Sequence, residues 1–280
     1  MGKTDPIQLG KIWRLATPTR PTSGSAGNQL GKGTGASLEF QDYREYQAGD
    51  DLRHVDWRAY ARTDQVSVRL YQEEIATTVE LVLDASLSMD LWPNKATRWR
   101  ELGCFFHAAA TGDYTVRGVL AGEQAFPIPT ETFQDPSLPG IHLEAKASLA
   151  DANFGGLLRP GTLRIVISDF LFPHHPSTLV AQLQKGAGKL VLLQVLDAEE
   201  TRPSPRGHLR LQETESGQHQ DLPVDEPVVQ RYIKRLQHLQ GGLAEEARRK
   251  NALWVSLPCE SPLINLAAGP LQQAGLLLPR

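Results

Sequence analysis

The sequence is poor in sulfur-containing residues, with two cysteines and two methionines in 280 residues. Cys104 and Cys259 are far apart and have no paired spacing, which argues against a disulfide framework. Cys104 stands in the apolar stretch 102–106, where a buried small hydrophobic side chain is expected rather than a redox centre. This cysteine usage is typical of a reducing compartment.

An excess of charge and a long apolar run are also missing. The net charge is -3, with 22% charged and 40% hydrophobic residues, as in ordinary globular proteins. This balance gives no general attraction for nucleic acid or for an anionic membrane. No apolar run approaches the ~18 residues needed to span a bilayer, and the first residues lead into no signal-like apolar segment. We therefore expect a cytoplasmic protein without a membrane span and without a nucleic-acid partner.

Composition divides the chain into three parts. The beginning is rich in Thr, Pro, Ser and Gly, which bury little surface and turn often, so we predict a flexible lead-in over residues 1–37. A segment dense in Arg, Asp and Trp follows over residues 38–75. The larger domain is expected over residues 76–280, with a hairpin insertion at about 205–225 that is flanked by alternating polar and apolar residues.

The larger domain alternates apolar strands with helices. Strands that are apolar on both faces indicate a parallel sheet covered on both sides by helices. We therefore predict an α/β fold with a doubly wound, mostly parallel sheet, preceded by an irregular N-terminal brace. The predicted strands include 79–83, 163–168 and 189–196, and the predicted helices include 98–110, 148–158 and 227–250.

Three oxygen-bearing residues follow the first apolar strand with alternating spacing. An extended turn would point the side chains of Asp84, Ser86 and Ser88 in the same direction. One carboxylate and two hydroxyls suit Mg²⁺, or Mn²⁺, better than zinc, because hard cations prefer oxygen ligands. Asp169 ends a second buried strand in the same way, and ligands of open α/β sheets bind beyond the carboxyl ends of strands. Together these residues predict a metal site at that edge.

Two other interpretations of these residues remain open. Asp and Ser are common in strand-to-helix loops because they cap and turn, so the fold could be a scaffold with an empty site. Alternatively, Asp84 could be the nucleophile of a metal-dependent phosphohydrolase, since strand-end aspartates form aspartyl-phosphates. Ser86 stands where such enzymes need a second acid, which disfavours the enzyme.

The charged segment nearly balances its own charges. Between residues 42 and 69 there are five arginines and six acids, so no unopposed basic surface for nucleic acid is expected. Bidentate Arg–carboxylate pairs are the better interpretation, forming a polar brace packed by Trp57.

The pattern Asp84-Xaa-Ser86-Xaa-Ser88 after an apolar strand resembles the metal-ion-dependent adhesion site of von Willebrand factor A domains. The resemblance implies a Rossmann-type fold of that class. It also implies that Asp169 serves as the aspartate that follows the fourth strand. Ser148 would stand in place of the usual threonine from a later loop.

The charged segment is similar to the signature of a bacterial family called domain of unknown function fifty-eight. The resemblance implies a non-enzymatic, metal-dependent protein-binding module that acts as an adaptor for a MoxR-type AAA+ ATPase and a client protein in protein assembly or maturation. The residues that carry it are Arg44, Tyr46, Gly49, Asp50, Asp51, Arg53, Asp56, Trp57, Ala61 and Arg62.

Overall fold

The computed structural model describes residues 5–16, 39–46, 55, 57–63, 65–72, 78–143, 148–204, 207–212 and 219–280. The chain divides into two compact units, one made of residues 1–16 and 77–280 and the other of residues 17–76. The strands are β1 (Trp13–Leu15), β2 (Glu39–Glu45), β3 (Ser67–Gln72), β4 (Thr78–Asp84), β5 (Thr115–Ala121), β6 (Ala125–Ile128), β7 (Leu163–Ser168), β8 (Lys189–Leu196), β9 (Gly207–Gln212), β10 (His219–Val224), β11 (Leu253–Pro258) and β12 (Leu277–Pro279). The α-helices are α1 (Pro6–Lys11), α2 (Trp57–Thr63), α3 (Pro93–Ala110), α4 (Pro176–Gln184), α5 (Ala198–Thr201), α6 (Glu226–Arg249) and α7 (Leu263–Leu266).

A six-stranded sheet forms the centre of the larger unit. Its spatial order is β6-β5-β4-β7-β8-β11, and only β6 runs antiparallel to its neighbour. Counted along the chain, this is the order 3-2-1-4-5-6 of doubly wound sheets, in which the strand order reverses between the first and fourth strands while these two strands stay parallel. The predicted fold class is confirmed. The reversal lies between β4 and β7, so a crevice is expected at their carboxyl ends.

Helices cover both faces of this sheet because its strands are apolar on both sides. On one face, α3 packs against β4, where a side chain on Gly103 would begin 3.5 Å from Leu83. On the other face, Val82 and Val166 share a buried cluster with Leu179 of α4 and Leu243 of α6. Successive residues of β4 therefore point into two separate halves of the core.

The first residues are ordered, so the predicted lead-in over 1–37 is wrong for residues 5–16. Helix α1 begins at Pro6, with the Asp5 side chain accepting a hydrogen bond of 2.9 Å from the backbone N–H of Ile7. Gly10 allows α1 to approach α3, because a Cβ there would lie 2.5 Å from the backbone oxygen of Phe105. Strand β1 then pairs antiparallel with β12 at the other end of the chain.

Several late elements agree with the sequence prediction, and one segment does not. Strands β9 and β10 form the expected antiparallel hairpin, and α6 runs as one helix from Glu226 to Arg249. The helix predicted over 148–158 is wrong, because these residues form turns and bends. Four glycines and prolines between 155 and 161 interrupt any helical run there.

A buried ion pair joins the two central strands at the end opposite the candidate site. Glu80 and Arg164 are opposite each other in the β4–β7 register, and both are fully buried. The guanidinium Nε of Arg164 donates to Glu80 Oε2 at 3.0 Å, and the hydroxyl of Thr162 donates to the same oxygen at 3.0 Å. The pair is hydrogen-bonded throughout, as a buried charge requires.

The smaller unit contains one hairpin-like pair of strands and a short helix. Strands β2 and β3 pair antiparallel, with a register shift between Phe40 and Asp42 that marks a bulge. The backbone N–H of Tyr46 donates to Val66 at 2.9 Å and extends this pairing by one step. Helix α2 follows the isolated bridge residue Val55.

Candidate metal centre

Asp84 lies at the carboxyl end of β4 and is fully buried. Its neighbour in β7 is Ser168, whose hydroxyl donates to Asp84 Oδ2 at 2.5 Å. The other oxygen, Oδ1, accepts the backbone N–H of Ser86 at 2.9 Å. Among the described residues Asp84 has no ion-pair partner. The carboxylate is therefore fixed in orientation while its charge is left uncompensated.

The two serines of the predicted triplet stand beside Asp84. Ser86 is extended, with φ -65° and ψ 147°, and Ser88 follows in the 3₁₀ turn Leu87–Asp90. Their hydroxyl oxygens are 3.0 Å apart. Ser86 is buried and Ser88 is half-buried, so the pair runs from the interior towards the surface. The turn thus collects three oxygen donors within five residues.

Asp169 reaches the same edge from β7. It is fully buried, and its Oδ1 accepts the backbone N–H of Leu171 at 3.0 Å. Burial, together with the nearby negative charge of Asp169, raises the pKa of Asp84 to about 7, although hydrogen bonds from Ser168 and Ser86 act in the opposite direction. Ser168, the residue before Asp169, donates to Asp84, so Asp84 and Asp169 lie at the same carboxyl edge of the sheet, beside Ser86 and Ser88.

A lysine that the sequence did not indicate completes the charge cluster. Lys95 lies in the first turn of α3 and is fully buried. Its ammonium donates to Asp169 Oδ2 at 2.9 Å and also pairs with Glu200. Burial lowers the pKa of Lys95, but the charges of Asp169 and Glu200 outweigh this and raise it above its ordinary value. Lys95 is therefore a permanent cation beside the candidate site.

Ser148 stands apart from this cluster by its hydrogen bonding. It is half-buried, and its hydroxyl accepts the backbone N–H of Ala150 at 3.2 Å. Its loop is tied to the end of β5 by Asn153, whose backbone N–H donates to Glu123 at 3.2 Å. The loop therefore lies at the correct edge of the sheet. The structure shows no hydrogen bond between Ser148 and Asp84.

Of the charged signature segment, Gly49, Asp50, Asp51, Arg53 and Asp56 lie outside the described residues. The backbone of Arg44 pairs with Val68 across β2 and β3. Trp57 and Arg62 lie in α2. The expectation that Trp57 packs the segment is wrong, because the side chain is 57% exposed and makes an edge-on contact with Tyr60 at a centroid distance of 6.3 Å. A single tryptophan in a polar sequence does not reveal which face it occupies.

A second group of possible ligands lies at the ends of β8 and β11. Ligand atoms of Asp197, Cys259 and Glu260 all lie within 4.8 Å of one another. Each carboxylate already has a structural task, because Asp197 caps α5 and Glu260 accepts the backbone N–H of Ala198 at 2.5 Å. Burial raises the pKa of the Cys259 thiol, and both carboxylates raise it further. A metal there would have to displace the thiol proton, which is donated to Asp197 at 3.4 Å, together with these structural hydrogen bonds.

A family model described as "Protein of unknown function DUF58" matches residues 42–114. The resemblance to this family that the sequence predicted is confirmed over these residues. The matched DUF58 region contains the charged signature segment and also Asp84, Ser86, Ser88 and Lys95. Most of the candidate site therefore falls within the part of the chain that the DUF58 model covers.

Curated relatives extend the similarity beyond that region. Uncharacterized proteins of Mycobacterium tuberculosis and Mycobacterium bovis are each 27% identical to this chain over 260 residues. The alignment covers 86% of this chain and 78% of each relative. The similarity thus includes both units.

Three solved structures show similarity at low sequence identity. An aerotolerance-related membrane protein from Bacteroides fragilis is 13% identical, with a TM-score of 0.39 over 71% of this chain and 100% of that one. The hypothetical protein BatB from Bacteroides thetaiotaomicron is 12% identical, with a TM-score of 0.35 over 71% and 98%. A von Willebrand factor type A protein from Catenulispora acidiphila is 12% identical, with a TM-score of 0.40 over 75% and 44%. The strand order, rather than these values, defines the fold class. Within the described residues, no helix has the length and apolar character needed to cross a bilayer.

Proposed function

We propose that this chain is a non-enzymatic protein-binding module that depends on a divalent cation, Mg²⁺ or Mn²⁺. The observation that supports this function is the gathering of two buried carboxylates and two hydroxyls at the carboxyl ends of adjacent strands. Asp84, Ser86 and Ser88 would hold the ion, and Asp169 would support it. All these donors are oxygen atoms, which suit a hard cation.

The surrounding residues fix the donors before any ligand arrives. Ser168 and the backbone of Ser86 orient Asp84, while Lys95 and the backbone of Leu171 orient Asp169. A cation held by one uncompensated carboxylate and neutral hydroxyls would remain electrophilic and accept a carboxylate oxygen from a partner protein. The half-buried hydroxyl of Ser88 marks the side from which that partner would approach.

Two observations bear on the competing functions. A phosphohydrolase would need Asp84 as an attacking nucleophile, but both of its oxygens accept hydrogen bonds and the residue is fully buried. An empty scaffold is favoured by Lys95, because its ammonium already neutralises Asp169. The experiment therefore has to separate metal binding from both alternatives.

Calorimetric titration of Mg²⁺ and Mn²⁺ into the full chain tests the site directly. We expect saturable binding to wild type, and at least tenfold weaker binding to Asp84→Ala and Ser86→Ala. Asp221→Ala, which removes an aspartate exposed in the hairpin, is the matched control and should bind as wild type does. Absence of binding to wild type would support the empty scaffold. Hydrolysis of a generic phosphoester that is lost in Asp84→Asn would support the enzyme.

The partner is proposed to be a MoxR-type AAA+ ATPase acting on a client protein. Immobilised wild type should retain such a purified ATPase in Mg²⁺ and release it in chelator, whereas Asp84→Ala should retain it in neither condition. If the ATPase is retained equally with and without chelator, partner binding does not depend on the metal. If wild type binds metal but retains no ATPase, this partner is rejected while the metal site remains supported.

A further inference from the structure

An open pocket of about 460 Å³ lies between the start of α4 and the middle of α6. Its volume is within the range of small-molecule sites. Pro176, Leu239 and Gly242 form the uncharged part of its lining. The rest consists of basic residues, and no carboxylate takes part: His174, His175, Lys234, Arg235 and His238.

Helical spacing explains why the basic residues of α6 face one place. Lys234, His238 and Gly242 are four residues apart and form one row along the helix, beside Arg235 in the adjoining row. Gly242 allows α4 to come close, because a Cβ at this position would lie 3.1 Å from the side chain of Pro176. The packing of α4 on α6 therefore creates the pocket next to the basic rows.

The two long cationic side chains of this pocket have no ion-pair partner among the described residues. Lys234 and Arg235 form no ion pair there, whereas Arg249 of the same helix pairs with both Glu245 and Glu246 at 3.0 Å. His174 offers no donor to a ligand, because its Nδ1 atom lies 2.8 Å from the backbone oxygen of Phe172 and its Nε2 atom is buried. Cations and donors that face a cavity without acceptors favour an anionic ligand.

We propose that this pocket binds the phosphate group of a small molecule. The planar fork of Arg235 and the point charge of Lys234 are the two side chains best suited to phosphate oxygens. The exposed imidazoles of His175 and His238 can add donors. A metal is a poorer choice, because the three imidazoles of the pocket are not among the described groups whose ligand atoms lie within 4.8 Å of one another. None of its lining residues belongs to the metal site, so this proposal goes beyond the function proposed above.

The test is a calorimetric titration of pyrophosphate into the full chain at low salt, with EDTA present to exclude metal-mediated binding. We expect Lys234→Gln/Arg235→Gln to bind pyrophosphate about tenfold more weakly for each charge removed, since each variant side chain loses a charge-assisted hydrogen bond to phosphate. Both side chains are exposed, so the variant should fold. Arg248→Gln/Lys250→Gln, which removes the same charge at the end of the same helix, is the matched control and should bind like wild type.

Three results would overturn the proposal. Wild type could fail to bind both pyrophosphate and inorganic phosphate at low salt. The control variant could lose as much affinity as Lys234→Gln/Arg235→Gln, which would indicate general charge attraction. Citrate could bind as tightly as pyrophosphate, which would make the pocket a carboxylate site. Weaker binding of pyrophosphate to His238→Ala, with unchanged thermal stability, would support the proposed position.

Discussion

Replacing Asp84 by Asn should stabilise the metal-free protein at high pH. The wild-type carboxyl is fully buried, and burial together with the charge of Asp169 raises its pKa from the ordinary value of 3.8 to about 7. Each pKa unit corresponds to about 1.4 kcal/mol, so ionising this group costs the fold up to about 4 kcal/mol. Asn keeps an oxygen for the N–H of Ser86 but carries no charge. The buried carboxylate is thus expected to lower stability.

The direction of the pH effect follows from proton binding. Between pH 4 and 7 the folded protein holds a proton on Asp84 that the unfolded chain has lost. The free energy that this proton contributes to folding is fully present below about pH 4, and it is lost as the pH rises through about 7. Asp84→Asn should therefore match wild type only below about pH 4, exceed it slightly at pH 5 and exceed it most at pH 8.

Urea unfolding in EDTA at pH 5, 6, 7 and 8 measures this difference. Asp221→Asn, an exposed aspartate in the hairpin, is the control and should follow wild type at every pH. Adding Mg²⁺ at about one hundred times its Kd should stabilise wild type by about 2.7 kcal/mol and leave Asp84→Asn unchanged. The reasoning fails if Asp84→Asn is less stable than wild type at pH 8, or if the difference is the same at pH 5.

Three further substitutions test the surroundings of the site by urea unfolding. Lys95→Met leaves two buried carboxylates without their cation, so we expect the free energy of unfolding in chelator to fall by about 3–5 kcal/mol. Mn²⁺ should restore part of this stability. No recovery with Mn²⁺ would contradict a site that Lys95 and the metal share. Glu80→Gln isolates the buried charge of Arg164 and should also cost about 3–5 kcal/mol, whereas Arg210→Gln in the exposed hairpin should change little. Gly118→Ala places a Cβ 2.6 Å from an aromatic ring, so the free energy of unfolding should fall by about 1–3 kcal/mol. An unchanged urea midpoint would show that the ring moves freely.

Both candidate aspartates could be predicted because apolar runs mark parallel strands. The run at 79–83 ends at Asp84 and the run at 163–168 ends at Asp169, and parallel strands end at the same edge. Their closeness follows from the reversal between β4 and β7, which the fold class implies. The sequence was informative here because the signal is local and repeated.

Other features depend on contacts between distant residues and give no local signal. Strands β1 and β12 have three residues each and pair across the whole length of the chain. Lys95 is eleven residues beyond Asp84, in a helix where a lysine is usually exposed, and its burial becomes evident only with Asp169 and Glu200 in place. For Ser148 the only signal of a metal ligand is its position along the chain. It stands in a segment whose glycines and prolines form turns instead of the expected helix.

Charge balance links these observations to a divalent ion. Asp84, Asp169 and Glu200 are three buried carboxyl groups near one lysine, so the fully ionised cluster would carry two uncompensated negative charges. A proton on Asp84 removes one of them, which agrees with its pKa of about 7, and a divalent cation would remove both. Binding of Mg²⁺ should therefore displace that proton below pH 7. Calorimetry in buffers of different ionisation enthalpy should show release of up to about one proton near pH 6 and almost none at pH 8. Binding heats that do not depend on the buffer at pH 6 would mean that Asp84 is not a ligand.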